Sequence, residues 1–237
     1  VKIITGIHQG HEEWDQLRAV RPTASEFGKI LTGGGKASGQ REAYMRRLAI
    51  STKYDLPKWT GNKWTDRGQA LEPEARDRFR EETGFNVREV AFIQSDHCMA
   101  GGSPDGLIYD MFGDLGEAVS GIEIKCFNLD KHLSILEKGE LPTENIPQVH
   151  GHLWLSGFDA WAFVLYCPEA YPLDFKVIEV RRNAYTEQLG EHVTQFCAEL
   201  IERTPEFLEE FEADHIHKPV LECMPSICRS LGMEVAA

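Results

Sequence analysis

The sequence lacks any apolar run approaching the ~20 residues needed to span a bilayer. Its opening stretch, Val1-Lys2-Ile3-Ile4-Thr5, is too short and too polar for a secretory signal. A membrane partner is therefore not expected. Six cysteines stand at 98, 126, 167, 197, 223 and 228 with no C-x-x-C pair and no zinc spacing. Reduced thiols in a reducing compartment follow, and an iron–sulfur quartet is disfavoured. Internal repeats and low-complexity segments are missing. The Gly33-Gly34-Gly35 stretch lacks the Lys-Ser/Thr ending of a phosphate-binding P-loop and reads as a flexible loop.

Positive charge is also scarce overall. The net charge of −13 argues against a passive nucleic-acid coat. Its distribution is uneven: residues 21–80 hold 13 Lys/Arg and 7 Asp/Glu, whereas residues 101–237 hold 9 and 24. The basic third can hold phosphates, or its charges can simply be solvated helix faces. What remains is ordinary for a globular chain, 42% apolar and 27% charged over 237 residues. One α/β (α+β) domain spanning 1–237 is expected.

Helical patterns begin with a short helix to about Leu31 that Thr23 or Ser25 can cap. Others cover 41–54 and 66–83, the latter ending before Gly84 with Leu71, Ala75 and Phe79 inward. Strand patterns cover Arg88–Gln94, Cys98–Gly101, Gly106–Tyr109 and Gly121–Phe127. Helices over 130–138 and 146–156 come next, then strands Ala160–Cys167 and Asp174–Arg181, then an amphipathic helix from Ala184 to about Ile201. This order predicts a central mixed β-sheet flanked by helices.

Chemistry concentrates in Ser103-Pro104-Asp105-Gly106-Leu107 and Ile122-Glu123-Ile124-Lys125-Cys126, with Glu123 eighteen residues after Asp105. In a strand, Glu123 and Lys125 share one face while Ile122 and Ile124 share the other. Two charges on a face flanked by apolar residues are costly to bury without a purpose. Divalent-metal hydrolysis of a phosphodiester supplies one. Mg²⁺ takes one or two carboxylates and keeps waters and phosphate. Asp105 and Glu123 are candidate ligands, with the Ile124 backbone carbonyl as a third. Lys125 is the candidate to orient or deprotonate the metal-bound water. The bare pattern also occurs by chance, as a turn aspartate and a surface Glu/Lys pair.

Around this core the sequence resembles the phage lambda exonuclease family (YqaJ-like viral recombinases), within the PD-(D/E)XK nuclease superfamily. The resemblance is carried by Trp14-Asp15-Gln16-Leu17-Arg18 followed by Thr23-Ala24-Ser25-Glu26, and by Gly68-Gln69-Ala70-Leu71-Glu72. The Ser103–Gly106 and Glu123–Cys126 motifs, Gln148-Val149-His150 before Leu153-Trp154, and Trp161-x-Phe163 complete it. It implies a restriction-endonuclease-like nuclease core, with Asp105 and Glu123 as metal ligands and Lys125 as catalytic lysine. Glu72 would support the metal site, its bland alternative being an exposed helix glutamate. It also implies that Arg18, Ser25, Ser103 and Gln148 grip the 5′-phosphate of a DNA end. The ordinary alternatives are a surface ion pair for Arg18, a helix cap for Ser25, a turn for Ser103 and a local bond for Gln148. His150 stands where the family often has a second Gln, and an exposed helix histidine is expected there. Trp59 and Trp64 are candidates for a wedge that splits the duplex end.

The activity so implied is a Mg²⁺-dependent (or Mn²⁺-dependent) 5′–3′ double-stranded DNA exonuclease with two ions per site. It would release 5′-mononucleotides and leave a 3′ single strand for recombination. The implied setting is a homotrimer working beside a single-strand annealing protein, in the cytoplasm of a bacterium or phage-infected cell. A PD-(D/E)XK endonuclease and a non-catalytic DNA-end-binding recombination protein are the alternatives.

Overall fold

The computed structural model describes residues 1–54, 63–110 and 116–215, the side chains of 63–66 and 214–215 excepted. A five-stranded sheet is its centre. In spatial order it runs β2 (Asn86–Arg88), β5 (Gly106–Tyr109), β6 (Ala118–Lys125), β7 (Ala160–Tyr166) and β8 (Phe175–Arg181). Only the β6–β7 pair is parallel, so the sheet is mixed. The crossover joining that pair holds two helices, α4 (Leu129–Lys138) and α5 (Ile146–Ser156). A smaller antiparallel sheet orders β1 (Lys2–Ile4), β3 (Phe92–Gln94) and β4 (Gly101–Gly102). The remaining helices are α1 (Glu12–Ala19), α2 (Arg41–Ser51), α3 (Lys63–Thr83) and α6 (Ala184–His215), with a 3-10 helix over Ala24–Lys29. Among the described residues no helix is long and apolar enough to cross a membrane.

Two apolar clusters cover the two faces of the large sheet, and the strands alternate between them. Trp161, Phe163 and Leu165 of β7 join Phe27, Val149, Leu153 and the buried side of α6. Val164 and Tyr166 join Ala75 and Phe79 of α3 with Ile122 and Ile124 of β6. Coverage on both faces is why β7 reads as a nearly unbroken apolar run. Alternation then puts Glu123 and Lys125 of β6 on the face that α5 covers, beside Phe163 and Leu165 in register. Close approach is set by glycine: a Cβ on Gly121 would lie 2.3 Å from the Trp161 ring.

Several boundaries differ from the sequence expectation. Arg88–Gln94 is not one strand. The chain bends after β2 at Glu89-Val90-Ala91 and enters the second sheet as β3, so the expected strand is divided between two sheets. The short helix is 3-10, and neither Thr23 nor Ser25 makes a side-chain capping bond to it. β1 and α1 were not foreseen as elements. Asn128 does cap α4, accepting a hydrogen bond from Lys131 N at 2.9 Å, and left-handed Gly139 ends it. The last helix continues well beyond Ile201, through Pro205, to His215.

The basic third of the sequence is largely neutralised within the fold. Arg41 pairs with Glu199 at 2.7 Å and Arg46 with Glu210 at 2.8 Å, while Lys53 bonds Glu212, all from α2 or just after it to α6. In the opposite sense, Arg203 of α6 pairs with Glu42 of α2 at 2.8 Å. Arg67 meets Glu169 at 2.7 Å. Among the described residues, the basic stretch that could have held phosphates or been solvated is mostly engaged in intramolecular ion pairs.

Candidate active site

The site forms where β5 begins and β6 ends. Gly106 is opposite Ile122 in the ladder, and Asp105 precedes the first residue of β5. Ile124 thus projects past the end of its neighbour. Its N–H is taken by the Asp105 side chain instead, with Oδ2 accepting at 2.6 Å. A residue in an antiparallel strand directs its C=O to the same side as its N–H, so the Ile124 carbonyl faces the Asp105 end of the sheet. Arg76 of α3 fixes the turn from beneath: its Nε donates to the Asp105 carbonyl at 2.9 Å, and its guanidinium also bonds Glu72 and Glu89.

On the opposite face, Glu123 is buried, 1% exposed. Its Oε1 accepts from Lys125 Nζ at 2.6 Å and from Gln148 Nε2 of α5 at 2.5 Å. Its Oε2 has no hydrogen bond among the described residues. Burial would raise the Glu123 carboxyl, but Lys125 and His152 outweigh it and hold it below the ordinary range. Burial would lower the Lys125 ammonium, yet Glu123 and Asp105 overcome that and raise it. Asp105 goes the other way: burial, then the charges of Glu123 and Glu72, push it well above the ordinary range. Glu72 is likewise raised, by burial first, with Arg76 opposing and Glu123 adding. Three carboxylates thus crowd one end of the sheet. Removing such ions from water costs several kcal/mol each, which an apolar pair would avoid; the arrangement makes sense as a site rather than as a stabilising core.

The donor set fits a hard divalent cation. Mg²⁺ or Mn²⁺ takes oxygen ligands and needs only one or two carboxylates. Asp105, the unpartnered Oε2 of Glu123 and the Ile124 carbonyl supply that chemistry. Among the described residues no group of three or more His, Cys, Asp or Glu side chains is arranged to hold a metal ion, so the fit rests on two carboxylates and a backbone carbonyl.

A second group of side chains lies beside this one. Arg18 of α1 donates from Nη1 to Ser103 Oγ and from Nη2 to Ser25 Oγ, each at 3.1 Å. Trp14 Nε1 donates to the same Ser103 oxygen at 2.8 Å, and the Arg18 guanidinium lies 4.4 Å from the Trp14 ring centroid. Ser25 Oγ is 3.3 Å from Thr23 Oγ1. The surface ion pair weighed as the ordinary alternative for Arg18 is absent among the described residues; neutral hydroxyls and an aromatic face hold the charge instead. Burial lowers this guanidinium from its ordinary range, with Tyr44, Glu26, Asp15 and Glu123 opposing; it remains a cation. Ser103 immediately follows β4 and stands two residues before Asp105, so one short segment serves both groups. Gln148 is part of the Glu123 cluster and makes no bond to Arg18, Ser25 or Ser103 among the described residues.

The chain matches the family model of the YqaJ-like viral recombinase domain over residues 13–159. It belongs to that family. No curated protein matches the sequence. Among solved structures, an alkaline exonuclease from Laribacter hongkongensis (LHK-Exo) is 28% identical with a TM-score of 0.74, covering 86% of this chain and 99% of that one. The same exonuclease in complex with dAMP superposes with a TM-score of 0.73 over the same shares. A phage-related exonuclease from Haemophilus somnus 129PT is 15% identical with a TM-score of 0.54, over 80% of this chain and 98% of that one; at that identity the likeness concerns the fold. The α/β fold with its mixed sheet is that of PD-(D/E)XK nucleases, and the YqaJ-like family with its alkaline exonuclease neighbour supports an exonuclease role.

One expectation changes, one site residue was not anticipated, and two expectations fall outside the described residues. His150 is buried rather than exposed. Its Nδ1 is 2.7 Å from Thr186 Oγ1, and its ring meets Tyr185 edge-on at 5.2 Å, so it joins α5 to α6. The histidine at the site is His152, one turn after Gln148, and sequence reasoning passed it over. The signal was available: residues i and i+4 share a helix face. Trp59 lies outside the described residues. Trp64 belongs to α3, but its side chain is likewise outside them.

Proposed function

We propose that this YqaJ-like chain is a Mg²⁺-dependent or Mn²⁺-dependent exonuclease that degrades double-stranded DNA from the 5′ end. It would release 5′-mononucleotides and leave a 3′ single strand for recombination. One observation carries the reading: the Asp105/Glu123/Lys125 group and the Arg18/Ser25/Ser103 pocket share the Ser103–Asp105 segment, so a scissile phosphate and a terminal phosphate have adjacent sites. The dAMP bound by the 28% identical exonuclease is a mononucleotide of the kind such a reaction would yield.

In this reading Arg18 forks onto the terminal phosphate while the Ser25 and Ser103 hydroxyls rotate to donate. Asp105, Glu123 and the Ile124 carbonyl would hold the cation, two ions per site in the full centre, with Glu72 behind them. The bound metal supplies an acidified water and neutralises phosphoryl charge. Lys125 Nζ, anchored on Glu123 Oε1, would orient the attacking water or, once a bound cation favours its neutral amine, take that water's proton. Gln148 braces the same oxygen. Burial of Glu123 under α5 keeps its charge in a low-dielectric setting, where it acts more strongly than in water. The ring-shaped homotrimer and the partner annealing protein belong to the same proposal. A closed ring keeps the enzyme on its track between cuts and needs heterologous contacts that close by rotation.

The decisive assay uses a linear duplex labelled at each end in turn, with and without 5′-phosphate and with and without Mg²⁺. The expected result is metal-dependent release of mononucleotides from 5′ ends, faster when these carry phosphate. Rapid degradation of sealed circles would instead mark an endonuclease, and durable end binding without nucleotide release a scaffold.

A further inference from the structure

His152 is the most deeply buried polar group at the site, with 0% exposure. Its ring is locked on both sides. One face stacks on Trp161, centroids 5.1 Å apart and planes 8° from parallel. The other side meets Gly102, where a Cβ would lie 2.8 Å from His152 Cε1 and 3.0 Å from Nδ1. Its Nε2 is 3.3 Å from Glu123 Oε2. Both atoms are nevertheless left without a hydrogen bond in spite of the short distance. Neither has any other hydrogen-bond partner among the described residues.

An unsatisfied buried donor and an unsatisfied buried acceptor side by side are rare in folded proteins and call for an explanation. Glu123 Oε1 is already occupied by Lys125 and Gln148, so the orientation of the carboxyl plane depends on what meets Oε2. At 3.3 Å, His152 Nε2 is the group within reach of Oε2.

We propose that His152 is a positioning residue for the candidate metal centre: with its proton on Nε2, it holds the Glu123 carboxylate in the orientation that receives the cation. This deepens the proposed function and rests on that reading of Glu123 as a ligand. The Trp161 stack and the bare Gly102 fix the ring, the ring fixes the carboxylate, and the carboxylate meets the ion. Residues that orient a ligand in this way commonly change metal affinity by about 10–100-fold when removed. In the tautomer required here, Nδ1 is left as an unused acceptor against Gly102, which costs less than a buried unpaired N–H.

The test compares His152→Gln with His152→Met. The two side chains have similar length and fill the same space, but only glutamine carries an N–H near the position of Nε2. Binding of Mn²⁺ alone, without DNA, is followed by electron paramagnetic resonance, with thermal melting as a control for folding. Wild type and His152→Gln should bind within about threefold of each other, and His152→Met should bind about tenfold more weakly. Equal affinities for the two variants would overturn the proposal, since packing alone would then account for the residue. Nitrogen coupling to Mn²⁺ in wild type would also overturn it, by making His152 a direct ligand. Absence of Mn²⁺ binding by wild type would reject the underlying metal-site reading, a result separable from the others. Should the variants not fold, imidazole nitrogen NMR of the wild-type protein still decides: a proton on Nδ1 rather than Nε2 ends the idea.

Discussion

Arginines in two regions of this molecule meet different fates. Along α2 and α6, Arg41, Arg46 and Arg203 each close on a carboxylate at 2.7–2.8 Å, on a surface open to water. Beside α1, Arg18 rests on two serine hydroxyls and an indole face, and makes no ion pair among the described residues. The first arrangement cancels charge and pins two helices together. The second leaves a cation without an ion pair among the described residues and aimed by neutral groups, which suits an anion arriving from outside. In a chain of net charge −13, the location of unspent positive charge says more about a phosphate site than the number of basic residues in a segment.

The contrast can be broken or sharpened by substitution. The largest effect is expected at the catalytic end. Lys125→Ala should lower turnover by about 10²–10⁴-fold while leaving DNA-end binding in place, as read by nucleotide release and by gel shift. Unchanged turnover would remove the lysine from the chemistry. Next, Arg18→Ala should reduce the preference for 5′-phosphorylated over unphosphorylated ends by about 10–100-fold, the worth of charge-assisted hydrogen bonds to phosphate. An unaltered preference would place the pocket elsewhere and dissolve the comparison. Gly102→Ala should destabilise the fold by about 1–3 kcal/mol in a denaturant titration, because the new methyl meets the His152 ring and Ala24. A neutral outcome there would show the ring to be free to move. Smallest is Arg46→Ala in the ladder. A half-exposed pair such as Arg46–Glu210 contributes about 0–1 kcal/mol, fades with added salt, and should leave phosphate preference untouched. A loss of that preference in this variant would mean that the ladder, too, contacts DNA.

Much of the architecture was legible beforehand, for reasons that differ from element to element. α5 runs Ile146–Ser156 and β5 runs Gly106–Tyr109 as expected, because local pattern and breakers agree there. The segment around Ile93 misled: the four apolar residues Val90–Ile93 with their flanks read as one strand over Arg88–Gln94, and only the bend at residues 89–91 divides it between two sheets. His150 misled as well. A histidine in a helix looks solvated until α6, more than thirty residues later, closes over it.

For the site, the sequence by itself determined which chemistry was available. An aspartate after a proline and a Glu-x-Lys at strand spacing place their charges by the two-residue period of the backbone, a local property that needs no partner. The same text could not say which cations would be neutralised, since Arg46 and Glu210 are separated by 164 residues. Nor could it say that Gln148 and His152 both converge on Glu123, because that depends on how α5 seats on the sheet. Periodicity determines the face a side chain occupies. What it meets there is decided by packing between distant segments, where burial strips water from each charge and leaves its neighbours to answer for it.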